Sequence, residues 1–323
     1  MSGLASASAQ EVIVTGVTYP GTITDDQWKV FEANVAREAD PPLKLKMLVR
    51  SEVGSEETMV NATRRGRVQL TAPSLTASTQ AAPELAVLAL PYLFDSVEQM
   101  DYVLETVAKD EARRVVAARG LVFLNWIDSG WLGIYARDAL VEPEQVKGYK
   151  LRTPPALAAQ VMAQVLGADA IYIPYTEIIP AMQTGLIDGG ITADYPFFTG
   201  SIDAESKYFI YTRHAYDTGM FLANKNWYDR LSETNKAMLL TAYGDMVDFR
   251  ARTRAYTAAE MAKLPQKPDG LATQVIELTP AQRARWAAAT RPTHRLLLDK
   301  LGSSAASFYD AIQAGKAAYS PDQ

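Results

Sequence analysis

The sequence predicts an α/β fold of two lobes, and three observations support this prediction. From Glu11 onward, apolar runs of strand length alternate with segments of helical periodicity, a pattern typical of a parallel sheet covered by helices on both faces. The length of 323 residues fits about two domains of roughly 100 to 200 residues each. An apolar strand at 121–126 leads out of the first lobe, and another at 220–222 returns to it.

From this organisation we predict that lobe I comprises residues 11–126 and 216–250, and that lobe II comprises residues 127–215 and 251–323. Asp25 or Asp26 is placed to cap the first helix, and Gly66 and Gly120 end the second and third. The predicted strands of the first lobe are 12–17, 43–49 and 68–72, and its predicted helices are 25–38, 56–65 and 100–119.

The segment 150–190 organises the second lobe and supplies its main candidate for binding. A strand that carries Arg152 must stop at Thr153, because the residue before a proline favours extended conformations. Pro154 then opens a helix that Gly167 ends, and a short strand and a second helix follow. The sequence therefore places Arg152 at the carboxyl end of a strand, where open α/β sheets bind their ligands.

Charge and composition exclude several classes of partner. The net charge is −5, and no basic patch is evident for nucleic acid or an anionic membrane surface. The chain has no cysteine, which excludes disulfides and thiolate chemistry. No apolar run reaches the roughly 20 residues that a membrane-spanning helix needs, so we expect no stable membrane insertion.

No catalytic motif is found, and we predict neither a cofactor nor a metal. His214 and His294 are the only histidines, and they belong to no ligand pattern. The acidic pairs Asp25–Asp26 and Glu56–Glu57 are interpreted as charges at helix starts. An α/β enzyme that anchors a carboxylate on Arg152 remains an alternative to a binding protein.

Several motifs, in order along nearly the whole chain, resemble the solute-binding proteins of TRAP transporters of the DctP type. They are KLRTP at 150–154, GADAIYIPYTE at 167–177, AMQTGLIDG at 181–189, LVRSEVGSEETMVNATRRG at 48–66 and PELAVLALPYLFD at 83–95. The resemblance implies a two-lobe periplasmic-binding-protein-like fold with a hinge and a ligand cleft between the lobes. It also implies a long helix at 232–264 that spans both lobes, although Gly244 is an alternative break point.

The resemblance assigns Arg152 to the substrate carboxylate, because the family's K-I-R arginine clamps that group. Thr192 stands where the family usually has a ligand-binding asparagine, and Trp131 occupies a turn where a second substrate arginine is common. One fixed positive charge near several aromatic residues predicts a monocarboxylate with an apolar or aromatic body. The aromatic candidates are Trp126, Trp131, Tyr195 and Phe197, for each of which core packing is the alternative.

Further candidates come from positions near strand ends. Tyr19 and Ser74 follow the first and third strands, and Tyr216 lies near the return to lobe I. Asp194, like Asp128, is a candidate partner for a ligand ammonium group, with backbone capping as the alternative. The resemblance suggests a supporting role for Glu177.

The resemblance also implies the partners and the compartment. We expect TRAP membrane permease subunits as partners and a periplasmic location, with residues 4–10 as the end of a secretory signal or an unstructured tail. Ligand-driven closure of the hinge would prepare the receptor for docking. A receptor that presents its ligand to a signalling partner is the alternative that the sequence leaves open.

Overall fold

A computed structural model describes residues 10–268 and 272–320. Residues 4–9 of the expected signal end and the predicted turn at Gly270 lie outside the described residues. The strands are β1 (Gln10–Gly16), β2 (Leu43–Leu48), β3 (Leu70–Ala72), β4 (Leu121–Ala136), β5 (Lys150–Thr153), β6 (Asp169–Tyr172), β7 (Gly189–Ala193), β8 (Tyr208–Tyr211), β9 (Tyr216–Asn224) and β10 (Gln274–Glu277). The helices are α1 (Ile23–Glu38), α2 (Glu56–Arg64), α3 (Leu75–Ser78), α4 (Val97–Val103), α5 (Lys109–Ala117), α6 (Leu157–Leu166), α7 (Ile178–Gln183), α8 (Asp194–Thr199), α9 (Lys225–Tyr228), α10 (Glu233–Thr241), α11 (Met246–Met261), α12 (Pro280–Thr290), α13 (Pro292–Leu301) and α14 (Ser303–Ala318).

The strands form one continuous sheet that extends through both lobes. Its order is β2-β1-β3-β9-β4-β7-β5-β6, and β8 joins β4 to β10. Within each lobe the strands that begin the βα units are parallel, with β1 between β2 and β3 and with β5 between β6 and β7. This arrangement confirms the predicted α/β class.

The long strand β4 links the two lobes. Its residues 121–131 pair with β9, and its residues 132–136 pair with β7. The strand predicted at 121–126 therefore continues into lobe II as far as Ala136. Two register shifts, between Phe123 and Asn125 and between Asp128 and Gly130, interrupt its pairing with β9. Such bulges bend a strand and increase its twist, which suits a connection between two lobes.

Aromatic clusters form the core of each lobe. In lobe I, Phe31 and Phe221 pack edge to face, with ring centroids 5.4 Å apart. In lobe II, Phe197 packs against Phe209 at 4.6 Å. Trp126 is buried in lobe I, and its indole N–H donates to the Leu104 carbonyl at 3.2 Å. Trp126 and Phe197 are thus core residues, in agreement with core packing, the alternative given for the aromatic candidates.

The prediction of a single helix at 232–264 is wrong, because the helix is interrupted at Gly244. This glycine has a φ of +94°, a conformation that side chains with a Cβ rarely adopt. Asp245 then caps α11 by accepting from the backbone N–H of Val247 at 2.9 Å. Helix α11 contacts both lobes, since it packs against α1 on one side and α8 on the other. At about 1.5 Å per residue it is about 24 Å long.

The C-terminal elements divide between the lobes. Strand β10 pairs with β8, and Trp286 of α12 lies in the core of lobe II. Helix α14 instead packs against the 3-10 helix Pro83–Ala89 and against α4, with Phe308 and Ile312 buried in the same cluster as lobe I residues. Leu297 of α13 is buried in this cluster as well. The predicted domain boundaries remain a prediction, and the packing of α13 and α14 differs from them.

Within the described ranges, the helices include none that is both long enough and apolar enough to cross a lipid bilayer.

Candidate ligand-binding site

A cavity of about 120 Å³ lies between the two lobes. Residues at the carboxyl ends of β1 and β3 line it from lobe I, and residues at the carboxyl ends of β5 and β7 line it from lobe II. This is the edge where open α/β sheets bind ligands. An apolar cavity of roughly 150 Å³ can hold benzene, so a space of this size suits a small organic molecule.

Arg152 is held rigidly at the end of β5 and faces this cavity. Its side chain is 4% exposed, its Nε donates to the Ile173 carbonyl at 3.0 Å, and its Nη1 donates to the Ile191 carbonyl at 2.8 Å. Among the described residues, no carboxylate forms an ion pair with it, and Glu177 is exposed at the surface instead. Burial lowers the pKa of Arg152, but a guanidinium stays charged at neutral pH.

Strand β7, which pairs with β5, leaves room for Arg152 because it has a glycine, Gly190, at the position opposite the arginine. A Cβ added at Gly190 would lie 2.8 Å from the Arg152 Cβ and 2.3 Å from the Tyr135 hydroxyl. The pairing of β5 with β7 therefore sets the position of the guanidinium, while two carbonyls fix its orientation. The remaining N–H groups of the Arg152 guanidinium are available to bind a ligand.

Five of the ten predicted site residues line this cavity, namely Arg152, Thr192, Tyr195, Tyr19 and Ser74. Tyr195 reaches across to lobe I, where its hydroxyl lies 2.8 Å from Oγ1 of Thr24 on α1. The two lobes thus touch beside the cavity, as expected for a closed cleft.

The other five predicted residues lie elsewhere. Trp126 and Phe197 are core residues, whereas Trp131, Asp194 and Tyr216 line a second cavity of about 380 Å³. Alternation along the strands explains the difference, because neighbouring side chains leave opposite faces. Tyr216 packs edge to face on Trp131 in the second cavity, and the next residue of β9, Asp217, lines the first.

Two of the acidic candidates have partners inside the protein. Asp128 accepts from Nε of Arg254 at 2.9 Å and from the Tyr216 hydroxyl at 2.8 Å. Asp194 accepts from the backbone N–H of Tyr195 at 2.9 Å and from the Tyr211 hydroxyl at 3.1 Å. Burial raises the pKa of Asp194 to about 7. Both carboxylates therefore have structural bonds, and Asp194 matches the capping alternative.

Sequence reasoning missed Glu56, which it interpreted as a charge at a helix start. Glu56 does begin α2 after its cap Ser55, but its carboxylate turns into the cavity and binds Ser74. It accepts from the Ser74 backbone N–H and from the Ser74 hydroxyl, each at 2.8 Å. Burial raises its pKa to about 7. The available signal was its position after β2, whose carboxyl end faces the same edge of the sheet as that of β1.

Hydroxyl groups recur along the rest of the wall, beside apolar side chains such as Trp28, Ile127 and Leu132. Tyr175, whose hydroxyl donates to the Pro196 carbonyl at 2.7 Å, was not among the predicted residues. Other hydroxyl-bearing residues of the lining are Thr76, Ser129 and Thr199. Within the part of the chain that the structure describes, no cluster of three or more histidine or acidic side chains is arranged to hold a metal ion.

Comparisons with known proteins agree with this geometry. The sequence profile of the bacterial extracellular solute-binding proteins, family 7 (DctP), matches residues 15–300. The C4-dicarboxylate-binding periplasmic protein DctP of Rhodobacter capsulatus is 25% identical over 315 residues, which are 97% of this chain and 92% of the relative.

Solved structures show the same fold at lower identity. The sugar acid binding protein DctPAm of Advenella mimigardefordensis, in complex with galactonate, is 24% identical, covers 95% of this chain and 99% of its own, and gives a TM-score of 0.86. The periplasmic ectoine-binding protein of the TeaABC TRAP transporter of Halomonas elongata is 18% identical, covers 96% and 100%, and gives a TM-score of 0.87. The predicted two-lobe fold is confirmed.

The family match covers well over half of the chain, and it confirms the prediction of a solute-binding protein rather than an enzyme. The chain belongs to the DctP family of bacterial extracellular solute-binding proteins, the solute receptors of TRAP transporters.

Proposed function

We propose that this protein is a periplasmic receptor that binds a small organic monocarboxylate between its lobes and delivers it to TRAP membrane permease subunits. The observation that supports the ligand class is Arg152, a buried guanidinium that faces the cavity without an ion-pair partner among the described residues. A carboxylate fits the planar fork of a guanidinium with two parallel hydrogen bonds. Each hydrogen bond to a charged group contributes roughly 1.5 to 3 kcal/mol.

A monocarboxylate suits the charges of the cavity better than a dicarboxylate. Arg152 is the one lysine or arginine among the described residues of the lining. A second carboxylate on the ligand would instead meet the acidic side chains of Glu56, Glu57, Asp128 and Asp217. The relatives named above bind different solutes, including a C4-dicarboxylate, galactonate and ectoine, so family membership alone does not select among these classes.

The body of the ligand is better described as polar than as apolar or aromatic. Trp126, Phe197 and Trp131, which suggested an aromatic body, do not line this cavity. Apart from Trp28, its aromatic residues in the described part of the chain are tyrosines, namely Tyr19, Tyr175, Tyr195 and Tyr243, and serine and threonine side chains add further hydroxyls. We therefore favour a monocarboxylate whose body carries hydrogen-bonding groups.

Closure of the two lobes is the proposed mechanism. A ligand that contacts Arg152 in lobe II and Ser74 in lobe I stabilises the closed form by its higher affinity for that form. The hydrogen bond between Thr24 and Tyr195 adds a direct contact between the lobes. The permease subunits would then distinguish the closed receptor from the open one.

Isothermal titration calorimetry with matched small acids tests this proposal. We expect glycerate to bind more tightly than succinate or benzoate, and Arg152→Lys to weaken binding at least about tenfold, because an ammonium group cannot replace the fork. Arg295→Lys is the control, since Arg295 is 86% exposed and does not line the cavity. An unchanged dissociation constant in Arg152→Lys, or tighter binding of succinate, would contradict the proposal.

A further inference from the structure

We propose that Asp217 provides a cation subsite in the ligand cavity, so that the solute carries a nitrogen cation with N–H groups in addition to its carboxylate. This inference rests on the proposed binding of a carboxylate at Arg152. The proposed solute thus carries a positive charge besides its carboxylate, which narrows the class to small acids with an ammonium or amidinium group.

The first observation is an unsatisfied oxygen. Asp217 is 5% exposed and lines the ligand cavity, and its Oδ1 has no hydrogen-bond partner among the described residues. No ion pair within the described ranges includes this carboxylate. Buried carboxylate oxygens are normally paired, so an unpartnered one at a cavity wall is a feature that a ligand can satisfy.

A second buried aspartate, Asp128 on the neighbouring strand β4, differs from Asp217 in having an ion-pair partner among the described residues. Asp128 on β4 is as deeply buried as Asp217 on β9, and the two strands pair along this stretch. Asp128 has Arg254 as its counterion and the Tyr216 hydroxyl as a further donor. Both acids line the ligand cavity, and the protein supplies a cation to Asp128 but, among the described residues, none to Asp217.

The charges around the cavity favour a cationic group on the solute. Burial is the main cause of the raised pKa of Glu56, and the negative charge of nearby Asp217 raises that pKa further. Burial raises the pKa of Asp217 to about 6, a rise that the Ser129 hydroxyl and the backbone N–H groups of Thr76 and Leu75 oppose, so Asp217 is largely ionised at neutral pH. One guanidinium therefore shares the cavity with several acids, and a solute of net negative charge would leave this excess uncompensated.

The cation must carry a hydrogen, because Oδ1 of Asp217 needs a donor. Primary and secondary ammonium groups and amidinium groups meet this requirement, whereas a quaternary ammonium does not. The volume of about 120 Å³ restricts the solute to a small molecule of this kind.

Calorimetry with three matched series of small acids tests the inference. The ammonium acids are alanine, β-alanine and γ-aminobutyrate, and the hydroxy acids are lactate, 3-hydroxypropionate and 4-hydroxybutyrate. The third series carries the trimethylammonium group in place of the ammonium group. We expect at least one ammonium acid to bind at least tenfold more tightly than both of its counterparts.

Variants separate the subsite from the carboxylate clamp. Asp217→Asn should abolish the preference for the ammonium acid while it leaves the affinity for the hydroxy acid unchanged or higher. Glu177→Gln, at an exposed acid outside the cavity, is the control and should keep the preference. If Asp217→Asn fails to fold, Asp217→Ser takes its place in the same comparison.

The outcomes distinguish this inference from the proposed function. A wild-type protein that binds no ammonium acid more tightly than its hydroxy counterpart overturns the cation subsite. If the hydroxy acids bind and Arg152→Lys weakens them, the proposed monocarboxylate receptor stands even then. A preference that persists in Asp217→Asn would likewise assign the cation to another group and overturn the inference.

Discussion

The hydroxyl oxygens of Thr24 and Tyr195 lie 2.8 Å apart, although the two residues are 171 positions apart in sequence. Thr24 belongs to α1 in lobe I, and Tyr195 belongs to α8 in lobe II, next to the strand that carries Thr192. Both side chains line the ligand cavity. This contact therefore joins the lobes at the site itself, and a ligand that orders Tyr195 also favours closure.

Tyr195→Phe removes the hydroxyl of this pair and keeps the ring. Since a neutral hydrogen bond contributes roughly 0.5 to 1.5 kcal/mol, we expect ligand affinity to fall about twofold to tenfold, mainly through faster dissociation. Stopped-flow fluorescence measures the dissociation rate. Tyr172→Phe, at a tyrosine that is 51% exposed, is the control. An unchanged dissociation rate in Tyr195→Phe would show that this contact does not hold the cleft closed.

Arg254→Met tests the ion network where α11 meets the crossing strand β4. Arg254 donates to Asp101 at 2.6 and 2.9 Å and to Asp128 at 2.9 Å, so its loss leaves Asp128 buried without a counterion. We expect the free energy of unfolding to fall by about 3 kcal/mol in chemical denaturation.

Two further variants interpret that result. Arg252→Met removes an exposed pair with Asp248 on the same helix and should cost less than about 1 kcal/mol. The double variant Arg254→Met with Asp128→Asn should recover part of the lost stability, because the uncompensated charge is gone. Equal losses for Arg252→Met and Arg254→Met would be inconsistent with this account.

Asp194→Asn should change the pH dependence of stability. Burial raises the pKa of Asp194 to about 7 in the folded protein, so the folded form holds its proton more tightly than the unfolded chain does. The stability that this group contributes is present below about pH 4, the pKa of an unfolded aspartate, and is lost as the pH rises through about 7. The slope approaches about 1.4 kcal/mol per pH unit within that window.

Thermal melts of Asp194→Asn and wild type from pH 4 to pH 8 measure this effect. We expect the variant to gain stability relative to wild type as the pH rises. The comparison isolates Asp194 from His214, whose pKa burial lowers to about 3 and whose contribution has the opposite sign. Asp299→Asn, at an exposed position, is the control, and parallel melting profiles for Asp194→Asn and wild type would refute the assignment.

Gly190→Ala tests how the sheet positions Arg152. The added methyl group would lie 2.3 Å from the Tyr135 hydroxyl and 2.8 Å from the Arg152 Cβ, so one of these side chains must move. We expect affinity for the carboxylate ligand to fall at least about tenfold in a protein that still melts cooperatively, since a displaced guanidinium loses its paired geometry. Calorimetry on the folded variant checks this, and wild-type affinity would show that β7 does not fix the arginine.

The parts of the fold that follow from local rules could be predicted from the sequence. Proline and glycine punctuation placed the end of β5 at Thr153 and the end of α6 at Leu166, because Pro154 and Gly167 restrict the backbone directly. The predicted start of α6 at Pro154 is wrong, since the helix begins at Leu157. The same rules left Gly244 ambiguous, since a glycine inside a helical pattern either stays in the helix or ends it. Here a capping aspartate, Asp245, follows Gly244 and begins a new helix.

The site was only partly predictable, because side-chain direction depends on tertiary structure. Arg152, Tyr19 and Ser74 line the cavity, as their positions at strand ends predicted. Tyr216 and Asp217 are adjacent in sequence, and only the register of β9 against β4, with its bulge at Asp128, decides which of them faces the ligand cavity. Glu56 was missed for a similar reason, because its bond to Ser74 joins residues from different strand-helix units.

A crystal structure of the protein with the solute that copurifies in its cleft tests the central claim most directly. We predict a carboxylate whose two oxygens both lie within hydrogen-bonding distance of the Arg152 guanidinium, with the rest of the solute enclosed between the lobes. A solute that binds in the cleft without any contact between a carboxylate and Arg152 would contradict the account.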